Sequence, residues 1–214
     1  MTGVREQMQR IAHSIHARGL THGRTGNLAV RDDDRLLVTP TGVSLGDIRA
    51  DELSVLDANG RHLDGPRPTK EAFLHVAILG ARPELGAVVH THSAYSAALS
   101  CLADLDVDEP LPPLTAYYAM RVGRLSVLPY FAPGDPAATG AVEDAARKGH
   151  ALLLRNHGAV VAGVDLESAL DALEELEHTA QLFFITGGRR TAPLTADRVA
   201  ALQVTAADRR KARP

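Results

Sequence analysis

The sequence predicts a mixed α/β fold, and three observations carry that prediction. Apolar residues at three- and four-residue spacing open the chain (Val4, Met8, Ile11, Ala12, Ile15) and recur near its end (Leu166, Ala169, Leu170, Leu173, Leu176, Ala180, Phe183), the stripe of an amphipathic helix. Short apolar runs punctuated by turn residues fill the first third, as antiparallel hairpins do. The apolar runs Gly86-Ala-Val-Val and Ala151-Leu-Leu-Leu then alternate with helical stretches through the middle.

The chain of 214 residues suits a single domain, 1–214, with a full-sized core. Apolar residues make up 45% and charged residues 23%, ordinary values for a globular protein, and a formal charge of -3 gives no reason to expect nucleic acid or an acidic membrane as partner. Cys101 is the only cysteine, so no internal disulfide can form, and a reducing cytoplasm is the expected location. No apolar run approaches the roughly 18 residues of a membrane span, and the first residues lack the apolar core of a signal peptide.

In chain order, residues 4 to 18 form an amphipathic helix that Gly19 closes. The loop Thr21-His22-Gly23-Arg24-Thr25-Gly26-Asn27 follows; it is either a plain turn or a nest of backbone N–H groups for a phosphate. Asp32-Asp33-Asp34 turns the strand Leu28–Arg31 into Leu36–Pro40, and Thr41-Gly42 makes a second small-residue turn. Asn59-Gly60 centres another hairpin. Thr69 caps a helix that buries Phe73, Leu74, Ile78 and Leu79 and ends before Pro83. Glu71 and His75, four apart on that helix, are either a metal-binding pair or a carboxylate steadied by its neighbour. A helix runs from Ser93 to Cys101, with Cys101 expected in the core. Residues 104–135 are the least regular part, with three prolines and the pair Tyr117-Tyr118. Asp135-Pro136 starts a helix to about Lys148, and Asp165 starts the last long helix; a basic tail at about 205–214 is expected to fray.

The stretch with the most chemistry is Gly86-Ala-Val-Val-His90-Thr91-His92-Ser93. A strand repeats every second residue, so His90 and His92 leave one face. Such a pair is short enough to be two ordinary polar side chains at a strand end. His157, in the sharp turn Arg155-Asn156-His157-Gly158, and Glu71, opening its helix, supply a third imidazole and a carboxylate. Together they make a donor set for a borderline divalent metal, with zinc as the first choice.

Taken in order, Gly26-Asn27, Thr41-Gly42, Thr69-Lys70-Glu71, His90-Thr-His92-Ser and Asn156-His157-Gly158 resemble the class II aldolase/adducin family, over a core from about residue 5 to 187. That resemblance implies a three-layer α/β/α fold with a central, mainly antiparallel sheet, assembled as a homotetramer with active sites between subunits. It implies that His90, His92 and His157 bind one divalent metal per subunit, zinc or else manganese or cobalt. Glu71 would both meet the metal and move protons. Gly26, Asn27, Thr41, Gly42, Thr69 and Lys70 would hold a substrate phosphate, and Tyr117, or Tyr118 with a one-residue offset, would donate a proton from the next subunit.

Within the family, Pro68-Thr-Lys-Glu-Ala-Phe-Leu-His75, Leu111–Gly123 and Pro129-Tyr-Phe-Ala-Pro-Gly-Asp-Pro136 look most like the 3-oxo-tetronate 4-phosphate decarboxylases. Where the sugar-phosphate aldolases carry small hydroxyl residues, this chain has Lys70 and Arg24. Two cations near the pocket suit a small phosphorylated sugar acid, bearing a carboxylate as well as a phosphate. The implied activity is loss of CO2 through a metal-stabilised enediolate. The alternatives are a fuculose- or ribulose-phosphate aldolase, a pentose-phosphate epimerase, and a non-catalytic adducin-like scaffold.

Overall fold

A computed structural model describes residues 3–211 of the chain, with side chains described for residues 3–204. One eight-stranded sheet organises it. Helix α1 (Val4–Ala17) leads to the hairpins β1 (Asn27–Asp32), β2 (Arg35–Val38), β3 (Ser54–Asp57) and β4 (His62–Asp64). Helix α2 (Ala72–Ala81), strand β5 (Ala87–Thr91), and helices α3 (Ala94–Ser100) and α4 (Ala116–Arg121) follow. The chain continues through β6 (Leu125–Leu128), α5 (Thr139–Lys148), β7 (Ala151–Leu154), β8 (Gly158–Gly163), α6 (Leu166–Ile185) and α7 (Ala196–Lys211). The strand order is β4-β3-β2-β1-β5-β8-β7-β6. All neighbours pair antiparallel except β6 with β7, whose crossover contains α5.

The sheet is covered on both faces, so successive residues of a strand enter different cores. Leu28 and Val30 join Met8, Ile11 and Ile15 of α1 and Leu173 and Leu176 of α6. Ala29 joins Leu74 and Ile78 of α2 and Val142 and Ala146 of α5. In β5, Val89 enters the first core and Val88 the second. The three-layer arrangement follows directly from this alternation.

Several expected signals act as read. Gly19 ends α1 at φ +69°, Asp33 turns the first hairpin at φ +53°, and the Asp165 carboxylate accepts from Ser168 N (2.7 Å) to cap α6. Four features differ. Helix α2 starts at Ala72 with Glu71 as its N-cap residue, so Thr69 is not its cap and Glu71 stands just before its first turn. The stretch 104–135 contains α4 and the edge strand β6, which is too short to show a period and is defined by its pairing with β7. Cys101 is exposed at the end of α3 rather than in the core. The chain does not end its regular structure with α6: α7 runs through Lys211, including most of the tail expected to fray, while residues 212–214 lie outside the described residues. Among the described residues no helix is long and apolar enough to cross a membrane.

The topology brings distant parts of the chain to one point. Strand β5 runs antiparallel to both of its neighbours, so its last residues lie beside the first residues of β1 and β8. His90 is paired opposite Asn27 on one side and Val160 on the other. Two glycines allow the close approach. A Cβ on Gly26, which sits at φ +79°, would lie 2.9 Å from the His90 carbonyl oxygen, and one on Gly158 would overlap the Thr91 carbonyl.

Candidate metal centre

Each imidazole has its own support. His90 and Val88 share the β5 face that meets α2, and His90 is fully buried. His92 lies one residue beyond the strand. The helix that follows it is anchored by Glu177, whose two oxygens accept from Tyr95 N and Ser96 N at 2.8 Å. His157 stands in the β7–β8 turn, made possible by Asn156 at φ +54°. That turn is tied to the end of α3: Asn156 N donates to the Ser100 carbonyl and His157 N to the Ser100 hydroxyl, both at 3.1 Å. Helix α3 thereby runs from two residues after His92 to the brace of His157.

The three Nε2 atoms converge. They are 3.1 Å apart for His90 and His92, 3.0 Å for His92 and His157, and 3.3 Å for His90 and His157. Glu71 completes the cluster, with Oε2 3.4 Å from His90 Nε2 and Oε1 3.3 Å from His157 Nε2.

The donor chemistry fits a cation. His90 Nδ1 lies 2.8 Å from the Ala159 carbonyl, which only accepts, so Nδ1 carries a proton and Nε2 is the ring nitrogen left to offer a lone pair to a cation. Three such nitrogens cannot all satisfy one another. Metal–nitrogen bonds of about 2.0–2.1 Å in tetrahedral array put neighbouring nitrogens roughly 3.3–3.4 Å apart, close to what is observed. The three histidines can therefore hold a metal ion.

The electrostatics agree, because a ligand imidazole must be neutral. Burial, reinforced by His90 and His157, pushes His92 down to about 3. Burial and His90 also lower His157. Burial by itself raises the Glu71 carboxyl, but the facing His90 and His157 rings and the Asn27 N–H outweigh it, holding the group below its ordinary range and ionised at neutral pH.

Glu71, His92 and His157 of the cluster line a cleft of about 280 Å³. The structure brings Arg24, Gly26, Asn27, Thr41, Gly42, Thr69, Lys70, Glu71, His92 and His157 to its walls, joined by Thr25, Pro40 and Pro133. A bridge between Pro40 and Pro68 sets the Thr41-Gly42 turn beside Thr69-Lys70, with Thr69 N donating to the Thr39 carbonyl and Thr41 N to the Arg67 carbonyl, both at 3.0 Å. Thr21 and Thr25 brace the first loop: Thr21 Oγ1 donates to the Thr25 carbonyl (2.8 Å) and Thr25 Oγ1 to that of His22 (2.6 Å). His90 stands behind the cleft wall.

Two further expected site residues are the tyrosine expected to act in a neighbouring subunit and Asn27. Tyr117 is not among the cleft residues; it is 59% exposed on α4 with the Arg121 guanidinium 5.2 Å above its ring, while Tyr118 is buried. The Asn27 side chain is committed elsewhere, its Nδ2 donating to Glu71 Oε2 at 2.8 Å and its Oδ1 lying 2.6 Å from His75 Nε2. Sequence reasoning missed this link, although Glu71 and His75 at one-turn spacing hinted at it. It also missed His22, whose ring centroid is 6.4 Å from that of His92.

Comparison with known proteins agrees with this geometry. Residues 6–184 match the family model described as the class II aldolase and adducin N-terminal domain. The chain belongs to the class II aldolase and adducin family. This class II aldolase/adducin chain is 49% identical over 192 residues to the 3-oxo-tetronate 4-phosphate decarboxylase of Haemophilus influenzae, covering 89% of the chain and 91% of that protein. It is 34% identical over 169 residues to the L-fuculose phosphate aldolase of Escherichia coli O157:H7, covering 78% and 76%. Its fold superposes on the crystal structure of YgbL from Escherichia coli with a TM-score of 0.91 at 42% identity, covering 94% of this chain and 97% of that one.

The histidine shifts set an acid limit on the metal-free family member. His75 and His92 both titrate near 3 when folded, against 6.5 when free, with burial as the largest cause. The unfolded chain therefore binds more protons below about pH 6.5. The stability these two groups contribute is complete above that pH and is lost progressively as pH falls towards about 3. The melting temperature of chelator-treated protein is expected to fall through that window; a flat profile there contradicts neutral buried rings.

Proposed function

We propose that the chain is a metal-dependent carbon–carbon lyase that converts 3-oxo-tetronate 4-phosphate to dihydroxyacetone phosphate and CO2. The observation that carries this reading is the 49% identity over 192 residues with the decarboxylase of Haemophilus influenzae. Three converging imidazoles and two cationic residues at one cleft support it. The whole chain, 1–214, is read as one domain. The ion proposed for His90, His92 and His157 is zinc, with manganese or cobalt as alternatives. When bound there, a divalent cation supplies positive charge beside a substrate ketone and lowers the barrier to loss of a β-carboxylate by several kcal/mol.

The residues of the chain then have distinct tasks. Lys70 and Arg24 attract the two anionic ends of the substrate, and the turns at Gly26-Asn27 and Thr41-Gly42, with Thr69, seat the phosphate. As the bond between C1 and C2 breaks, CO2 departs and the electron pair spreads over C2, C3 and the ketone oxygen. Glu71 Oε1, the oxygen not held by Asn27, takes up one proton from solvent water and hands it to C2, which completes dihydroxyacetone phosphate and returns the carboxylate to its ionised state. Tyr117, exposed and absent from the cleft of its own chain, is proposed to reach the site of a neighbouring subunit in a homotetramer.

The test follows CO2 and triose phosphate from a panel of four-carbon oxo-acid phosphates and ketose phosphates. Aldolase action is the second reading, favoured by the 34% identity with the L-fuculose phosphate aldolase. Cleavage of fuculose or ribulose phosphates with no CO2 from any oxo-acid phosphate would replace the first reading by the second. Within the first, Lys70→Ala removes a charge-assisted contact of about 1.5–3 kcal/mol. It is expected to raise KM for the oxo-acid phosphate about 10- to 100-fold, with a smaller change in kcat.

A further inference from the structure

We infer that His75 is a positioning residue that fixes the Glu71 carboxylate through Asn27. This deepens the reading above and rests on it for the task of Glu71. His75 lies one helical turn after Glu71 and is fully buried, and the hydrogen bonds of both side chains run to Asn27. Asn27 stands between them, 4% exposed, reaching α2 from the first residue of β1. Its Oδ1 can only accept, so the 2.6 Å contact makes His75 Nε2–H the donor and fixes the tautomer of the ring. The amide is thereby held with Nδ2 towards Glu71, where it donates to Oε2 at 2.8 Å. Without His75 the amide is free to turn over, presenting an oxygen to a carboxylate.

The remaining nitrogen argues that this ring is there for its donor. His75 Nδ1 is buried and has no hydrogen-bond partner among the described residues. An unpartnered polar atom in an apolar setting costs stability, and a leucine would fill the same space without that cost. What leucine lacks is the N–H towards Asn27. The chain donor–amide–carboxylate leaves Glu71 one tethered oxygen and one directed at His157 Nε2, 3.3 Å away. Groups that orient a metal-facing side chain in this way typically matter 10- to 100-fold for affinity or rate.

Three variants of the full chain test this, with the apo-protein titrated with Co2+ and the visible absorption of the bound ion as readout. His75→Leu removes the donor, Asn27→Ala removes the bridge, and His75→Gln restores an N–H at similar reach. The expected result is cobalt affinity about 10- to 100-fold weaker in H75L and N27A, with most of it regained in H75Q. In the decarboxylation assay kcat falls in H75L and recovers in H75Q, while KM changes little. Wild-type affinity in H75L, or H75Q no better than H75L, overturns the inference. If H75L does not fold, N27A against H75Q decides: both weakened, or neither, overturns it. Because the titration needs no substrate, a wild-type protein that releases no CO2 but shows this cobalt pattern removes the decarboxylase reading and keeps the role of His75.

Discussion

Replacing His157 by alanine is expected to strip the protein of its cation and to lower the rate of CO2 release by about 10³-fold or more. Three Nε2 atoms within 3.3 Å of one another form the pocket for the charge, and removing one leaves two imidazoles on a single edge of the sheet. The several kcal/mol that a bound divalent ion contributes at a developing oxyanion corresponds to such a factor. Metal analysis of the purified variant and a steady-state assay check both halves. His178→Ala, on the exposed side of α6, serves as control and should retain both ion and rate. An H157A protein that keeps stoichiometric metal and normal turnover would exclude this cluster as the source of the chemistry.

Glu71→Gln is expected to reduce kcat by about 10²–10⁴-fold, the usual range for loss of a positioned proton carrier, with KM nearly unchanged. Glutamine keeps the shape of the side chain but cannot accept and return a proton. It also sets an amide against Asn27 Nδ2, where the carboxylate had accepted a hydrogen bond. A partial reaction separates proton transfer from bond cleavage. Wild-type enzyme should exchange a C–H of dihydroxyacetone phosphate with deuterium from D2O, and E71Q should not. Full exchange in E71Q would move the proton carrier elsewhere, with Tyr117 of a neighbouring copy the next candidate.

Much of this was legible in the sequence because the governing signals are local. Period-two alternation put His90 and His92 on one face, and the Asn156-His157-Gly158 turn placed a third imidazole at a strand junction. Helix periodicity, Asp165 as a cap and the glycine at position 19 marked helix limits to within a residue or two. The three-layer fold came from the family resemblance, not from periodicity. What stayed hidden depends on contacts through space. Asn27 was grouped with the phosphate loops, yet its side chain bonds to residues 44 and 48 positions away. Strand β6 exists through its parallel pairing with β7, and no pattern in Leu125–Leu128 announces it. Helix α7 follows a Gly- and Pro-bearing stretch after α6 and has too mixed a composition to stand out.

The pairing of Asn27 with His90 across β1 and β5 has a consequence for how the protein is made. Slipping β5 by one residue against its neighbours would aim His90 into the opposite core and carry Val89 into the place of the donor nitrogen. The ion-binding cluster and the correct alignment of the central strands are thus formed in the same event. Neither a peptide ending before residue 157 nor one beginning after residue 92 contains all three imidazoles. Cation uptake during refolding would accordingly report the completion of the middle of the sheet, and not the collapse that precedes it.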